Sequence, residues 1–221
     1  MARTQERRRR ILGRPGAVRG NPVNGGSLAS GIRSRIEASI AVKQAILDDA
    51  RLLAQIESLV ASCVSALRSG GKIIFAGNGG SFADAQHLSA EFISRFQFDR
   101  APLPSVALGV NNSALSAIGN DYGYEQVFAR ELRALAKPGD VFVPISTSGN
   151  SPNILAAVEA ANGLSIRVVA LTGAEGGKLQ PRCECLCIPS SDTARIQESH
   201  ILVGHIVCGL VEDMYFRGEL A

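Results

Sequence analysis

The sequence predicts an α/β fold, a five-stranded parallel sheet covered by helices on both faces and preceded by an N-terminal helical segment. Three observations carry that reading. Beyond Gly71, short aliphatic runs, apolar on both faces, are separated by Gly/Ser/Asn turns. Helical stretches of about 12 to 20 residues alternate with these runs, which is the rhythm of repeated βα units. Upstream of Gly70 the pattern is helical, with Ile32, Ile36, Ile40, Ile46, Leu47, Leu53, Ile56, Val60, Val64 and Leu67 recurring at three, four and seven positions.

Taken in chain order, two helices are expected between Ser30 and Leu67, ending at Gly70-Gly71. The strands are Lys72 to Ala76, Ser105 to Leu108, Val141 to Ser146, Arg167 to Thr172 and Glu184 to Ile188. Helices fit Ala83 to Phe96, Glu125 to Ala136, Asn153 to Ala161 and a long final stretch from Ala194 to Phe216. Residues 1–26 stand apart as a disordered basic tail, rich in Gly and Pro and almost without apolar periodicity. Residues 27–221 form a single domain that includes the N-terminal helices.

Length and composition bound the rest. The chain has 221 residues, 46% of them hydrophobic, enough for a sizeable core. Seven arginines against one glutamate give the tail +6, so the formal net charge of +3 leaves the body mildly acidic. Nucleic-acid binding is not expected from that balance. No apolar run approaches the roughly 18 to 20 residues of a membrane span, and the Arg run is not followed by a signal-peptide core. A cytoplasmic protein without membrane partners is the expectation. Of the five cysteines, Cys183, Cys185 and Cys187 alternate along one face of a strand and read as small buried hydrophobes, because same-face neighbours converge poorly on a tetrahedral ion.

Two loops carry the chemistry. The first strand ends in Gly77-Asn78-Gly79-Gly80-Ser81, and the third in Ser146-Thr147-Ser148-Gly149-Asn150-Ser151, each leading into a helix. Hydroxyls, glycines and the first amides of a helix make a phosphate cradle without a lysine. Neither loop matches a dinucleotide fingerprint, so a small phosphorylated ligand fits better. On the following helix His87 and Glu91 lie one turn apart on the same face and can share a ligand or a metal. The final helix offers Gln197, Glu198, His200 and His205. Gln197 and His205 are separated by about 12 Å of rise and about 80° of rotation. Either their side chains reach inward from both ends, or more than one chain completes each site.

As a set, these two loops, the run Arg195-Ile196-Gln197-Glu198 with His200, and Gly119-Asn120-Asp121-Tyr122-Gly123 resemble the sugar isomerase (SIS) domain family. Within it the chain is similar to the phosphoheptose isomerases, and the resemblance runs from about Ser30 to Phe216. It implies a flavodoxin-like fold, a homotetramer with sites at subunit contacts, and interconversion of sedoheptulose 7-phosphate with D-glycero-D-manno-heptose 7-phosphate, the first step of ADP/GDP-heptose biosynthesis. It also implies one zinc per subunit on His87, Glu91, Gln197 and His205. The substrate contacts it implies are Asn78, Gly79, Gly80, Glu91, Asn120, Asp121, Ser146, Thr147, Ser148, Ser151 and Gln197. Glu91 and His205 are the catalytic pair in that reading. Ala194 departs from the family pattern, since some members carry Asp there. The rival is a non-catalytic SIS protein that binds the replication initiator, and the presence of both Glu91 and His205 argues against it. A sugar-phosphate-sensing regulator is a further rival, for which the tail is too short to hold a DNA-binding module.

Overall fold

The computed structural model describes residues 27–218, so the basic segment 1–26 lies outside the described residues. By contacts the chain divides into two compact units, one ending at Glu37 and the other beginning at Ala38. Helix α1 (Leu28–Asp48) opens the described chain, and its residues Leu28, Ile32 and Ile36, in the first unit, are exposed.

Everything else belongs to the second unit. Asp49 caps α2 (Ala50–Arg68) by accepting the amides of Arg51 and Leu52. Then follow β1 (Ile73–Gly77), α3 (Gly80–Ile93), β2 (Ser105–Ala107), α4 (Asn112–Tyr122), α5 (Val127–Leu135), β3 (Val141–Ser146), α6 (Pro152–Gly163), β4 (Arg167–Gly173), β5 (Glu184–Ile188) and α7 (Thr193–Phe216). All four strand pairings are parallel, in the order β2-β1-β3-β4-β5. That is the flavodoxin-like order.

Period-2 alternation sorts the strands' side chains into two cores. Ile73, Phe75, Val143, Ile145, Val169 and Leu171 face α2, α3 and α7. Ile74, Ala76, Phe142, Val168 and Ala170 face α5 and α6. Both faces are covered, as the continuous apolar runs demanded. Chain order reverses between β1 and β3, and an open parallel sheet binds ligands at the carboxyl ends of strands at such a point. Both Gly/Ser loops leave the sheet there.

Several expectations need correction. Helix α4 was not expected, because its two inward residues, Leu115 and Ile118, are too few to write a stripe and none of its residues is fully buried. Helix α3 starts at Gly80, not Ala83, and ends at Ile93, because backbone amides and a remote arginine, not apolar spacing, set its ends. The segment expected as helix from Glu125 begins with a 3-10 turn, Tyr124–Gln126. Among the described residues one helix, α2, is long and apolar enough to span a membrane by length and composition, contrary to the sequence survey. Its Leu52, Ile56, Leu59, Val60 and Leu67 are buried in the core instead. Cys185 is buried, whereas Cys183 and Cys187 are only half-buried.

Candidate functional site

The loop after β3 is a tight backbone cup. Ser146 and Ser151 stand with their hydroxyls 3.2 Å apart, Ser151 holds the N-cap position of α6 without a side-chain bond to its amides, and Pro152 occupies the first turn. Gly149 has φ +63°, and a Cβ there would lie 2.0 Å from the Gly176 carbonyl, so the position requires glycine. That approach joins the β3 loop to the β4 loop, and Asn150 reinforces it by accepting the Lys178 amide at 3.0 Å. Thr147, Ser148, Asn150, Gly173, Ser190 and Thr193 line a cavity of about 340 Å³, the size of a small-ligand pocket.

Asn78 holds the β1 loop to this cup. It exchanges two amide hydrogen bonds with buried Asn153, at 2.9 and 2.8 Å, and accepts the Tyr124 hydroxyl at 3.2 Å. Asn153 also accepts the Ile154 amide. Asn153 and Tyr124 carried no signal that a single sequence displays, because their role exists only across the crevice. Gly79 and Gly80 are exposed at the start of α3, and the Gln197 amide lies against Gly80, where a Cβ would be 2.8 Å from its Nε2. Asn120 and Asp121 are exposed at the end of α4 and bond to each other at 2.8 Å.

The second half of the site lies between α3 and α7. These helices run side by side in the same direction: Gln197 faces Gly80, Gly204 faces Leu88, and His205 faces His87. A Cβ on Gly204 would meet the Leu88 side chain at 2.5 Å, so this glycine sets the close approach of the two helices. His205 Nε2 is then 3.0 Å from His87 Nε2, and His87 Nε2 is 3.1 Å from Glu91 Oε1. Gln197, expected with them as a metal ligand, lies instead against Gly80, because eight residues of helix separate it from His205. The spacing argument for more than one chain does not extend to Glu91 and His205, because one chain brings both together.

Those three side chains fit a metal. Their ligand atoms all lie within 4.8 Å of one another. Two Nε2 atoms facing each other oblige one ring to donate and the other to accept, whereas a shared cation takes both lone pairs. A tetrahedral zinc with bonds of about 2.0–2.1 Å separates its ligands by about 3.3 Å, close to the spacings present. His87 is 51% exposed, so the cluster is open to a ligand. Asp84, one turn before His87 and unassigned by the sequence reading, is half-buried. Burial pushes its carboxyl above the usual range, against the pull of the two imidazoles.

His200 belongs to the core instead. It is fully buried, its Nε2 donates to the Thr172 carbonyl at 3.1 Å, and burial holds its pKa down at about 4. Glu198 pairs with Lys43 and Arg195 at the surface of α7.

Comparison with known proteins identifies the family. Residues 38–173 match the SIS domain family model. The chain is 53% identical to a phosphoheptose isomerase of Aneurinibacillus thermoaerophilus over 85% of its own length and 96% of that protein. Among solved structures it is similar to a phosphoheptose isomerase from Francisella tularensis, with TM-score 0.80 and 37% identity over 85% of this chain and all of that one. The corresponding enzyme from Neisseria gonorrhoeae gives TM-score 0.77 and 41% identity over 84% of this chain and 99% of the other. The chain therefore belongs to the SIS-domain family, and within it to the phosphoheptose isomerases.

Proposed function

We propose that the protein interconverts sedoheptulose 7-phosphate and D-glycero-D-manno-heptose 7-phosphate through an enediolate, opening ADP/GDP-heptose biosynthesis. The observation that carries this reading is the convergence of His87, Glu91 and His205 beside α3, the helix that leaves the β1 loop, which Asn78 ties to the lysine-free cup after β3 through Asn153. The hydroxyls of Ser146, Ser148 and Ser151, the Thr147 backbone and the amides opening α6 hold the phosphate. Asn78, Gly79, Gly80, Asn120, Asp121 and Gln197 line the path of the sugar chain.

Aldose–ketose isomerisation moves one proton between adjacent carbons and one between their oxygens. Glu91 takes the proton from C1 of the ketose and returns it to C2. His205 donates a proton to the carbonyl oxygen and accepts one from the neighbouring hydroxyl. One zinc per subunit, which His87, Glu91 and His205 would hold, would take over from the His205 proton in polarising the two oxygens, while Gln197 lies against Gly80, apart from the three. The assembly we propose is a cytoplasmic homotetramer with sites at subunit contacts. The replication-initiator alternative uses neither Glu91 nor His205, and their convergence disfavours it.

The test is turnover of sedoheptulose 7-phosphate by the purified protein, with metal analysis of the same sample. Glu91→Gln keeps the side chain's shape but cannot accept a carbon-bound proton. It is expected to lower kcat by about 10³-fold while calorimetry still detects substrate binding. Near wild-type turnover in that variant would remove Glu91 from the role of base.

A further inference from the structure

Beside the His/Glu cluster lies an ion pair that the mechanism does not use. The side chains of Arg100 and Glu212 are 3% and 1% exposed, and Arg100 Nε meets Glu212 Oε1 at 2.7 Å. Removing two charges from water is costly unless their remaining hydrogen-bonding capacity is filled. Here it is filled by the backbone next to the site. Arg100 Nη2 donates to the Glu91 carbonyl at 2.7 Å, and Nη1 donates to the carbonyls of Phe92, Ser94 and Ala101. Glu212 accepts the amides of Phe96 at 3.0 Å and Gln97 at 2.7 Å.

These bonds give α3 its C-terminal cap from outside the helix. The last turn of α3 has no basic residue of its own, and its Glu91 and Phe92 carbonyls face the guanidinium, whose charge complements that end of the helix. Glu91 sits in this last turn. Glu212 lies on α7, two turns after His205 and on the same face. It also fixes the backbone of Phe96, whose ring stacks on His205 with centroids 5.5 Å apart and planes 26° apart. The ion pair therefore reaches Glu91 through its own carbonyl and His205 through the Phe96 ring.

We infer that Arg100 and Glu212, acting through Phe96, are positioning residues that hold His205 in register with His87 and Glu91. The inference rests on the isomerase reading only for its effect on turnover; the register itself is independent of it. A guanidinium is required, because an ammonium cannot bridge the carboxylate and four separate carbonyls.

The test uses full-length Arg100→Lys and Phe96→Leu, the second leaving the ion pair untouched and so able to fold if the first does not. The chain has three histidines, so their ring Cε1–H resonances in metal-free protein are few enough to assign. Both variants are expected to abolish the ring-current shift on His205 and leave the His200 resonance in place. Arg100→Lys should lower both zinc affinity and kcat by about 10- to 100-fold, with KM for the sugar phosphate within about threefold, and Phe96→Leu by about tenfold. If folded Arg100→Lys keeps the wild-type His205 resonance, the inference is overturned whatever the wild-type activity. If the wild type does not turn over sedoheptulose 7-phosphate but the His205 resonance moves as stated, the isomerase reading fails and the positioning role stands.

Discussion

The phosphate cradle and the His/Glu cluster are assembled in different ways. The cradle is contiguous in sequence: Ser146 to Ser151 form a single turn whose donors point where its backbone and the α6 N-terminus aim them. The cluster joins His87 and His205 across 118 positions, and only the packing of α3 on α7 makes them neighbours. Local turn chemistry leans on few distant groups, here Gly176 and Lys178 of the β4 loop. A cluster spread over two helices depends on everything that fixes their spacing, including Gly204 against Leu88 and Arg100 against Glu212.

The largest effect expected from this contrast is all-or-none. Co-refolding His205→Ala with Glu91→Gln should yield no activity above either parent, because both residues come from one chain and no mixed assembly regains an intact cluster. Recovery in proportion to mixed oligomers, counted by native mass spectrometry, would break the comparison by showing a cluster built across subunits.

A second effect concerns the tie between the two regions. His200 on α7 donates to the carbonyl of Thr172, the β4 residue preceding the cavity-lining Gly173. Burial holds its pKa at about 4, below the ordinary 6.5. Between those values the unfolded chain binds a proton that the folded chain refuses, so stability rises with pH across the window and falls as pH drops from 6.5 towards 4. The full span is about 3 kcal/mol. Urea unfolding at pH 7 and pH 4 should show His200→Gln, which keeps a donor for Thr172, losing less stability than the wild type by about that amount. Parallel losses would mean that His200 is charged in the folded state.

The smallest effect sharpens the cradle's side of the contrast. Ser151→Ala removes one hydroxyl donor and leaves the helix amides, so KM for the sugar phosphate should rise about tenfold with kcat nearly unchanged, as expected for one hydrogen bond to a charged group. A matching fall in kcat, read from steady-state kinetics, would show that cradle and cluster are not separable.

The sequence determined what depends on neighbours along the chain. Continuous apolar runs announced five buried parallel strands, and β3 and β5 lie within the boundaries expected. Glycine and hydroxyl residues announced both ligand loops, because turn conformation and helix capping are short-range effects. The i, i+4 pairing of His87 and Glu91 was equally legible.

Tertiary structure decided the rest. Helix α4 escaped notice because two inward apolar residues do not write a periodicity. Asn153 and Tyr124 act on Asn78 from other elements, and a hydrogen bond across 75 or 46 positions leaves no local pattern. Spacing alone did not separate His200 from His205, which share one helix. Packing alone sent His200 into the core and His205 to the metal-competent cluster, because the rotation of α7 against the sheet and against α3 fixes which face each side chain meets.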